Sequence, residues 1–144
     1  MFQLKRNSAN PILRPHPDLA WEKEGVFNPG VALHSDASGN DEVAMLYRAV
    51  GERDAYVSHI GLAKSKDGIS FERYVKKHIS PRQAGIIGIP GAPVILPEPV
   101  FGPSMPYDRW ATEDCRITQI GQDFYITYVA VPERIMVDGK APAR

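Results

Sequence analysis

Apolar and polar positions alternate in short runs, broken by glycine, proline and acidic turns, and the runs predict strands rather than helices. Residues 26–33 (VFNPGVAL) form the first run, and the cluster Ser35-Asp36-Ala37-Ser38-Gly39-Asn40-Asp41 after it reads as a turn. Residues 42–50 (EVAMLYRAV) predict a stronger strand, Gly51-Glu52-Arg53-Asp54 a turn, and residues 56–65 (YVSHIGLAKS) a third strand. Lys66-Asp67-Gly68 predicts a tight turn, because Asp-Gly readily supplies positive φ, and residues 69–74 a short fourth strand. The pattern then lapses. Residues 76–111 hold seven prolines and read as a long connection, with room for a short strand at Val94-Ile95-Leu96. It resumes at residues 114–120, turns at Gly121-Gln122-Asp123, and runs on through residues 124–131 (FYITYVAV).

Four consecutive antiparallel strands in one stretch have the size of one blade of a β-propeller, whose repeats run to roughly 40–50 residues. The start of that blade recurs. FNPGVAL followed by EVAMLYRAV is matched by EDCRITQ followed by FYITYVAV, with Asn28 and Asp114 at corresponding places. The expected fold class is therefore all-β, with about two propeller blades of which the second is incomplete. Residues 1–25 are an irregular lead-in, 26–75 the first blade, 76–111 a proline-rich insert and 112–144 the truncated start of the second blade. A blade does not bury both sheet faces alone, so the chain reads as part of a longer protein. A self-contained small β-sandwich is the alternative.

Composition narrows the function. Seventeen basic and seventeen acidic residues give no net charge, which argues against a nucleic-acid partner. The four histidines, His16, His34, His59 and His78, lack metal-ligand spacing, and no metal is expected. A single cysteine, Cys115, allows no intrachain disulfide and suits a reducing, cytoplasmic setting. Met1–Arg6 has no apolar run behind it, so no signal peptide is expected. No apolar stretch reaches the ~18 residues of a membrane span, so no membrane partner is expected either. Thirteen prolines among 144 residues reinforce the all-β reading.

The candidate chemistry lies in Thr112-Glu113-Asp114-Cys115-Arg116-Ile117-Thr118. Two adjacent acids at a strand start oppose β-propensity. Strand alternation would put Asp114 and Arg116 on one face, Glu113 and Cys115 on the other. On the first strand Asn28, Gly30 and Ala32 would share a face, the small residues leaving space for a ligand. The innermost strands of a propeller line its channel, where Asn28 and Asp114 would meet. The plainer reading of Asp114 is a strand-initiating acid paired with Arg116. Such a pair would lower the Asp114 pKa, the wrong direction for a general acid, so Arg116 is better cast as a contact to substrate or anion. Arg48, inside an apolar run, is either on the exposed face of an edge strand or a contact to a phosphate or sugar hydroxyl. Ser65-Lys66-Asp67-Gly68-Ile69-Ser70-Phe71 is read chiefly as a structural hairpin. Trp21, Tyr47 and Trp110 are either a stacking platform for sugar rings or core.

Taken in order, Asn10-Pro11-Ile12-Leu13, Trp21-Glu22, Val26-Phe27-Asn28-Pro29-Gly30, Leu46-Tyr47-Arg48-Ala49, Ile60-Gly61-Leu62-Ala63, Ser65-Lys66-Asp67-Gly68-Ile69-Ser70-Phe71 and Glu113-Asp114-Cys115-Arg116-Ile117 resemble glycoside hydrolase family 130. These are β-mannoside phosphorylases and related mannosidases on a five-bladed β-propeller, and the match covers less than half of a whole member. The resemblance implies attack of inorganic phosphate on the anomeric carbon of a β-1,4-mannoside with inversion, releasing α-mannose 1-phosphate. The family's proton donor falls on Asp114, its sugar-contacting asparagine on Asn28, and an arginine of its substrate and phosphate site on Arg48. Arg116 is expected to hold sugar or phosphate alongside Arg48. The partners implied are a β-mannoside oligosaccharide and phosphate as co-substrate, without an organic cofactor, and a homo-oligomer stays open. Cys115 stands where proline is common in the family, and His59 where arginine is common. The Phe-Asn-Pro-Gly form leans towards the manno-oligosaccharide-acting branch. A hydrolase of the same family and a non-catalytic glycan-binding propeller piece are the rival readings.

Overall fold

The computed structural model describes residues 3–35, 38–52, 57–75 and 97–133. Its elements are six strands: β1 (Gly25–Ser35), β2 (Asp41–Val50), β3 (Ser58–Ser65), β4 (Glu72–Arg73), β5 (Ala111–Ile120) and β6 (Asp123–Val131). The first four make one antiparallel sheet in chain order, and β5 and β6 make a second, two-stranded sheet. No helix occurs among the described residues, as the proline content leads one to expect.

The strand β2 lies inside its sheet, between β1 and β3, and its residues Met45 to Val50 are all buried. Its alternation feeds two cores. Met45, Tyr47 and Ala49 point to one face, where Ala63 and the partly buried Leu13, Trp21, Val26 and Phe71 pack on them. Leu46 points to the other face with Ile60, and there Cys115 of β5 closes the contact, flanked by Ile117 and Tyr128. Burying a side chain such as Ile60 contributes about 1.5–3 kcal/mol. Arg48 has the parity of Leu46, so it too faces the second sheet. Opposite Tyr47 in the register stands Gly61. A Cβ there would come within 2.3 Å of the tyrosine ring, so the glycine is what lets Tyr47 lean across β3.

Three expectations change. Arg48 is not on an edge strand, since β2 is internal and Arg48 is only 5% exposed. The fourth strand shrinks from residues 69–74 to Glu72–Arg73, because the amides of Ile69 and Ser70 donate to Asp67 Oδ1, at 2.8 and 2.7 Å, within the turn. Those bonds, with Ser65 Oγ, hold the Asp67 carboxyl well below the usual range, in keeping with a structural hairpin. The end of the proline-rich stretch also returns to the sheet. Ile60 donates to Phe101 O at 2.9 Å and accepts from Val100 N at 2.8 Å, on the stretch of the outer β3 edge that the short β4 leaves free. The short strand expected at Val94-Ile95-Leu96 lies outside the described residues.

Candidate active site

Both inner strands carry the same irregularity. In β1 the register jumps between Phe27, opposite Arg48, and Gly30, opposite Leu46, so Asn28 and Pro29 together face Tyr47. In β5 it jumps between Glu113, opposite Val129, and Arg116, opposite Thr127, so Asp114 and Cys115 together face Tyr128. Each bulge holds a residue in the left-handed region, Asn28 at φ 48° and Asp114 at φ 49°. Asparagine and aspartate are the non-glycine types that tolerate this region best. The chemical signal in the sequence, an Asn and an Asp at matching positions, was thus also a backbone signal.

The two bulges meet. Asn28 Nδ2 donates to Asp114 Oδ1 at 2.9 Å across 86 residues of chain. The approach is close because Gly30 lies against β5, where a Cβ would stand 2.7 Å from Cys115 O. Asp114 Oδ1 also accepts from Arg48 Nη1 at 3.2 Å, while Oδ2 has no hydrogen-bond partner among the described residues. The side chain stays 32% exposed, so that oxygen is reachable. Burial pushes the carboxyl pKa upward, but the hydrogen bonds from Asn28 and Arg48 and the charges of Arg48 and Arg116 outweigh it, and the net shift is below the usual range.

Beneath Asp114 lies a buried polar cluster that the alternation rule hides. An undisturbed strand would turn Glu113 away from Asp114. The bulge brings both acids to Arg48, whose Nη2 donates to Glu113 Oε1 at 2.6 Å. Arg48 Nε donates to Ser58 Oγ at 3.2 Å, and Ser58 Oγ donates to Glu113 Oε1 at 3.3 Å. The Arg48 guanidinium also rests 5.1 Å from the centre of the Phe27 ring. Arg48, assigned from sequence to phosphate or sugar, is placed as the floor of the site, holding acids from two directions.

Arg116 is exposed at the rim. Its Nη1 donates to Cys115 O at 2.8 Å and to Asp114 O at 3.4 Å, so it is not the partner of the Asp114 carboxylate. Its Nη2 and Nε point to no acceptor among the described residues. Cys115 is fully buried, with Sγ 3.5 Å from Leu46 O, and burial raises its thiol pKa, which makes it an inert core thiol. His59 is half-buried beside Gly102, its Nδ1 has no hydrogen-bond partner among the described residues, and burial lowers its pKa. The cationic contact that an arginine would give at position 59 is therefore missing.

The tyrosines also correspond. Tyr47, opposite the first bulge, donates to Glu22 Oε2 at 2.8 Å. Tyr128, opposite the second, donates to Asp108 Oδ2 at 3.0 Å. Glu22 precedes Asn28 by six residues, and Asp108 precedes Asp114 by six. Glu22 is fully buried and further tied by Arg73 Nε at 2.8 Å. Asp108 accepts from the amides of Ser104 and Met105 at 2.9 and 2.7 Å, which hold its carboxyl below the usual range. Burial and the bond to Glu22 push the Tyr47 phenol far up, and the bond to Asp108 raises that of Tyr128 to about 12. Trp21 stacks on Tyr47 at 6.1 Å between centroids and donates to Pro97 O at 3.0 Å. These two aromatics belong to the core, not to a sugar platform. Glu22 and Asp108 were missed as a pair, although their equal offset from positions 28 and 114 was there to be read. Among the described residues no cluster of His, Cys, Asp and Glu is arranged to hold a metal.

No family model matches the chain. It is 33% identical over 144 residues to a β-1,2-mannobiose phosphorylase of Thermoanaerobacter sp. (strain X514), covering 96% of this chain and 40% of that protein. It is 29% identical over 143 residues to a 1,2-β-oligomannan phosphorylase of the same strain, covering 96% and 39%. The chain thus spans about 40% of the length of these curated relatives. Among solved structures, one from the GH130 family of mannoside phosphorylases, described as containing glycoside hydrolases that target β-1,2 mannosidic linkages in Candida mannan, superposes with a TM-score of 0.64 at 24% identity. It is matched over 90% of this chain and 34% of its own. A glycosyl hydrolase from Bacteroides ovatus gives 0.63 at 22% identity, over 90% and 35%. At such identities the structural likeness is one of fold.

Proposed function

We propose that the chain belongs to glycoside hydrolase family 130, the mannoside phosphorylases, and that it supplies the first two blades of a five-bladed propeller and the acid side of its catalytic pocket. The complete protein would cleave β-mannosides with inorganic phosphate. The oxygen of phosphate forms a bond to the anomeric carbon, the glycosidic bond breaks with inversion, and a proton passes from Asp114 to the leaving oxygen by way of a sugar hydroxyl. The products are α-mannose 1-phosphate and the shortened acceptor.

The observation that carries the reading is the Asn28–Asp114 contact, which fixes one carboxyl oxygen at 2.9 Å and leaves the other open. Asn28 orients Asp114 and would meet the mannosyl unit. Arg116, with unengaged N–H groups at the rim, would meet sugar or phosphate. A hydrolase needs a second carboxylate to activate water. The neighbouring one, Glu113, is bound by Arg48 and Ser58, which favours phosphorolysis. The low pKa of Asp114 leaves it ionised in the empty site. A phosphate dianion brought close would raise it, so the acid would be charged with its proton only when both substrates are in place.

On linkage, the family resemblance of the sequence reads as β-1,4, whereas both curated relatives are named for β-1,2-mannosides. We favour β-1,2, since those relatives align with nearly the whole chain. The test is the complete protein incubated with β-1,2- and β-1,4-mannobiose, with and without phosphate. Phosphate-dependent release of mannose 1-phosphate, lost in Asp114→Asn, is expected. Free mannose formed equally well without phosphate would make it a hydrolase. Undiminished turnover by Asp114→Asn would reject the acid assignment.

A further inference from the structure

Glu113 takes no part in the chemistry above, yet it is 7% exposed and holds the shortest hydrogen bond of the cluster, 2.6 Å from Arg48. We propose that Glu113 is a positioning residue for Asp114: by occupying one arm of the Arg48 fork, it limits the Arg48–Asp114 contact to a single hydrogen bond and keeps the second Asp114 oxygen open to substrate. The proposal rests on reading Asp114 as the proton donor.

A guanidinium beside a lone carboxylate prefers to grip both oxygens with parallel N–H bonds. Here it does not. Nη2 goes to Glu113 at 2.6 Å, and Nη1 alone reaches Asp114, at 3.2 Å and only on Oδ1. Rotation towards Asp114 is opposed at a third point, since Nε is held by Ser58 Oγ, itself bonded to Glu113. Ser58 is fixed in turn by Thr112, whose Oγ1 donates to Ser58 O at 3.3 Å. Among the described residues, the groups facing Asp114 are Arg48 from β2, neutral Asn28 from β1, and Glu113 and Arg116 from its own strand, with neutral Ser58 of β3 behind them. Glu113 is the only acid in that set. Neutralising it would weaken its claim on Nη2, turn that arm towards the ionised Asp114, cover the open oxygen and strengthen the hold on the charged form.

The decisive variant is Glu113→Gln in the complete protein, read by kcat, KM and pH profile. A group that must be protonated sets the high-pH fall-off of the rate. We expect that fall-off to move to lower pH by about one unit, with kcat down on the order of tenfold and KM for the mannoside within about threefold. Glu113→Asp, which keeps the charge, should restore the profile and part of kcat. In an Arg48→Lys background, where no fork exists, Glu113→Gln should leave the fall-off in place. If Glu113→Gln does not fold, Ser58→Ala loosens the same arm without changing charge, and a smaller shift in the same direction is expected. A variant that melts lower but keeps its kcat and pH profile would reduce Glu113 to a structural ion-pair partner and overturn the proposal, as would an unaltered profile in Ser58→Ala. Turnover that survives Asp114→Asn would instead remove the premise, and is told apart by that variant alone.

Discussion

The β1–β2 pair and the β5–β6 pair are built alike and used differently. Each has a two-for-one bulge with a left-handed residue, and each has a tyrosine opposite that bulge tied to an acid six positions before the left-handed residue. The first pair sits in a four-stranded sheet with β2 buried, whereas β6 is exposed along most of its length, Phe124, Tyr125, Ile126 and Val129 included. The first bulge presents an amide and the second a carboxylic acid. Two acids so close would not both ionise, and two amides would have no acidic proton to give. The backbone device supplies the place, and the difference between its two copies supplies the chemistry.

The largest effect comes from erasing that difference. Asp114→Asn should lower turnover of the complete protein by about 10²–10⁴-fold without unfolding it. Asn28→Asp should be milder, moving the high-pH fall-off upward because a second acid now opposes ionisation of Asp114. A downward move would show that the two side chains do not share one field. Next comes the asymmetry in burial. Glu22→Ala removes a fully buried acid that both Tyr47 and Arg73 use, and should cost about 3–5 kcal/mol in urea unfolding. Tyr47→Phe should cost about 1–3 kcal/mol, and Tyr128→Phe clearly less. Equal losses would mean that the second pair is as enclosed as the first. Gly30→Ala forces a Cβ against the Cys115 carbonyl, and should cost about 1–3 kcal/mol while misaligning Asn28.

The smallest effect is a titration. The Tyr128 phenol is raised in the folded protein, so its contribution to stability is complete below the unfolded value of about 10 and disappears as pH climbs through about 12. Ultraviolet titration should show that step vanish in Tyr128→Phe, with Tyr47 ionising later still. If Tyr47 ionised first, the order of burial would be inverted. Asp114 has the opposite sign. Its lowered pKa stabilises above the usual carboxylate value of about 4, and that share is lost as pH falls through the folded value.

The strands were legible because apolar runs and turn residues mark them, and the matching of positions 28 and 114 because two runs recur in the same order. The face of each acid was not. Period-two alternation holds only while one residue opposes one, and at Asp114 two residues oppose Tyr128. That single extra residue swings Glu113 towards Arg48, a contact no pattern in either strand announces. For Arg48 the sequence left an edge position beside a substrate contact, and the edge position falls because partners on two other strands hold the side chain inside. The fourth strand was overread because Asp67 takes up the amides of Ile69 and Ser70 before a ladder can use them.

The paired bulges carry a genetic corollary. Asparagine and aspartate codons differ in their first base alone, so a duplicated segment bearing the same residue in both kinks stands one transition away from the mixed pair seen at positions 28 and 114. Hybrids that graft one kink sequence onto the other locus would retrace that step in the laboratory, since the main-chain conformation suits either residue.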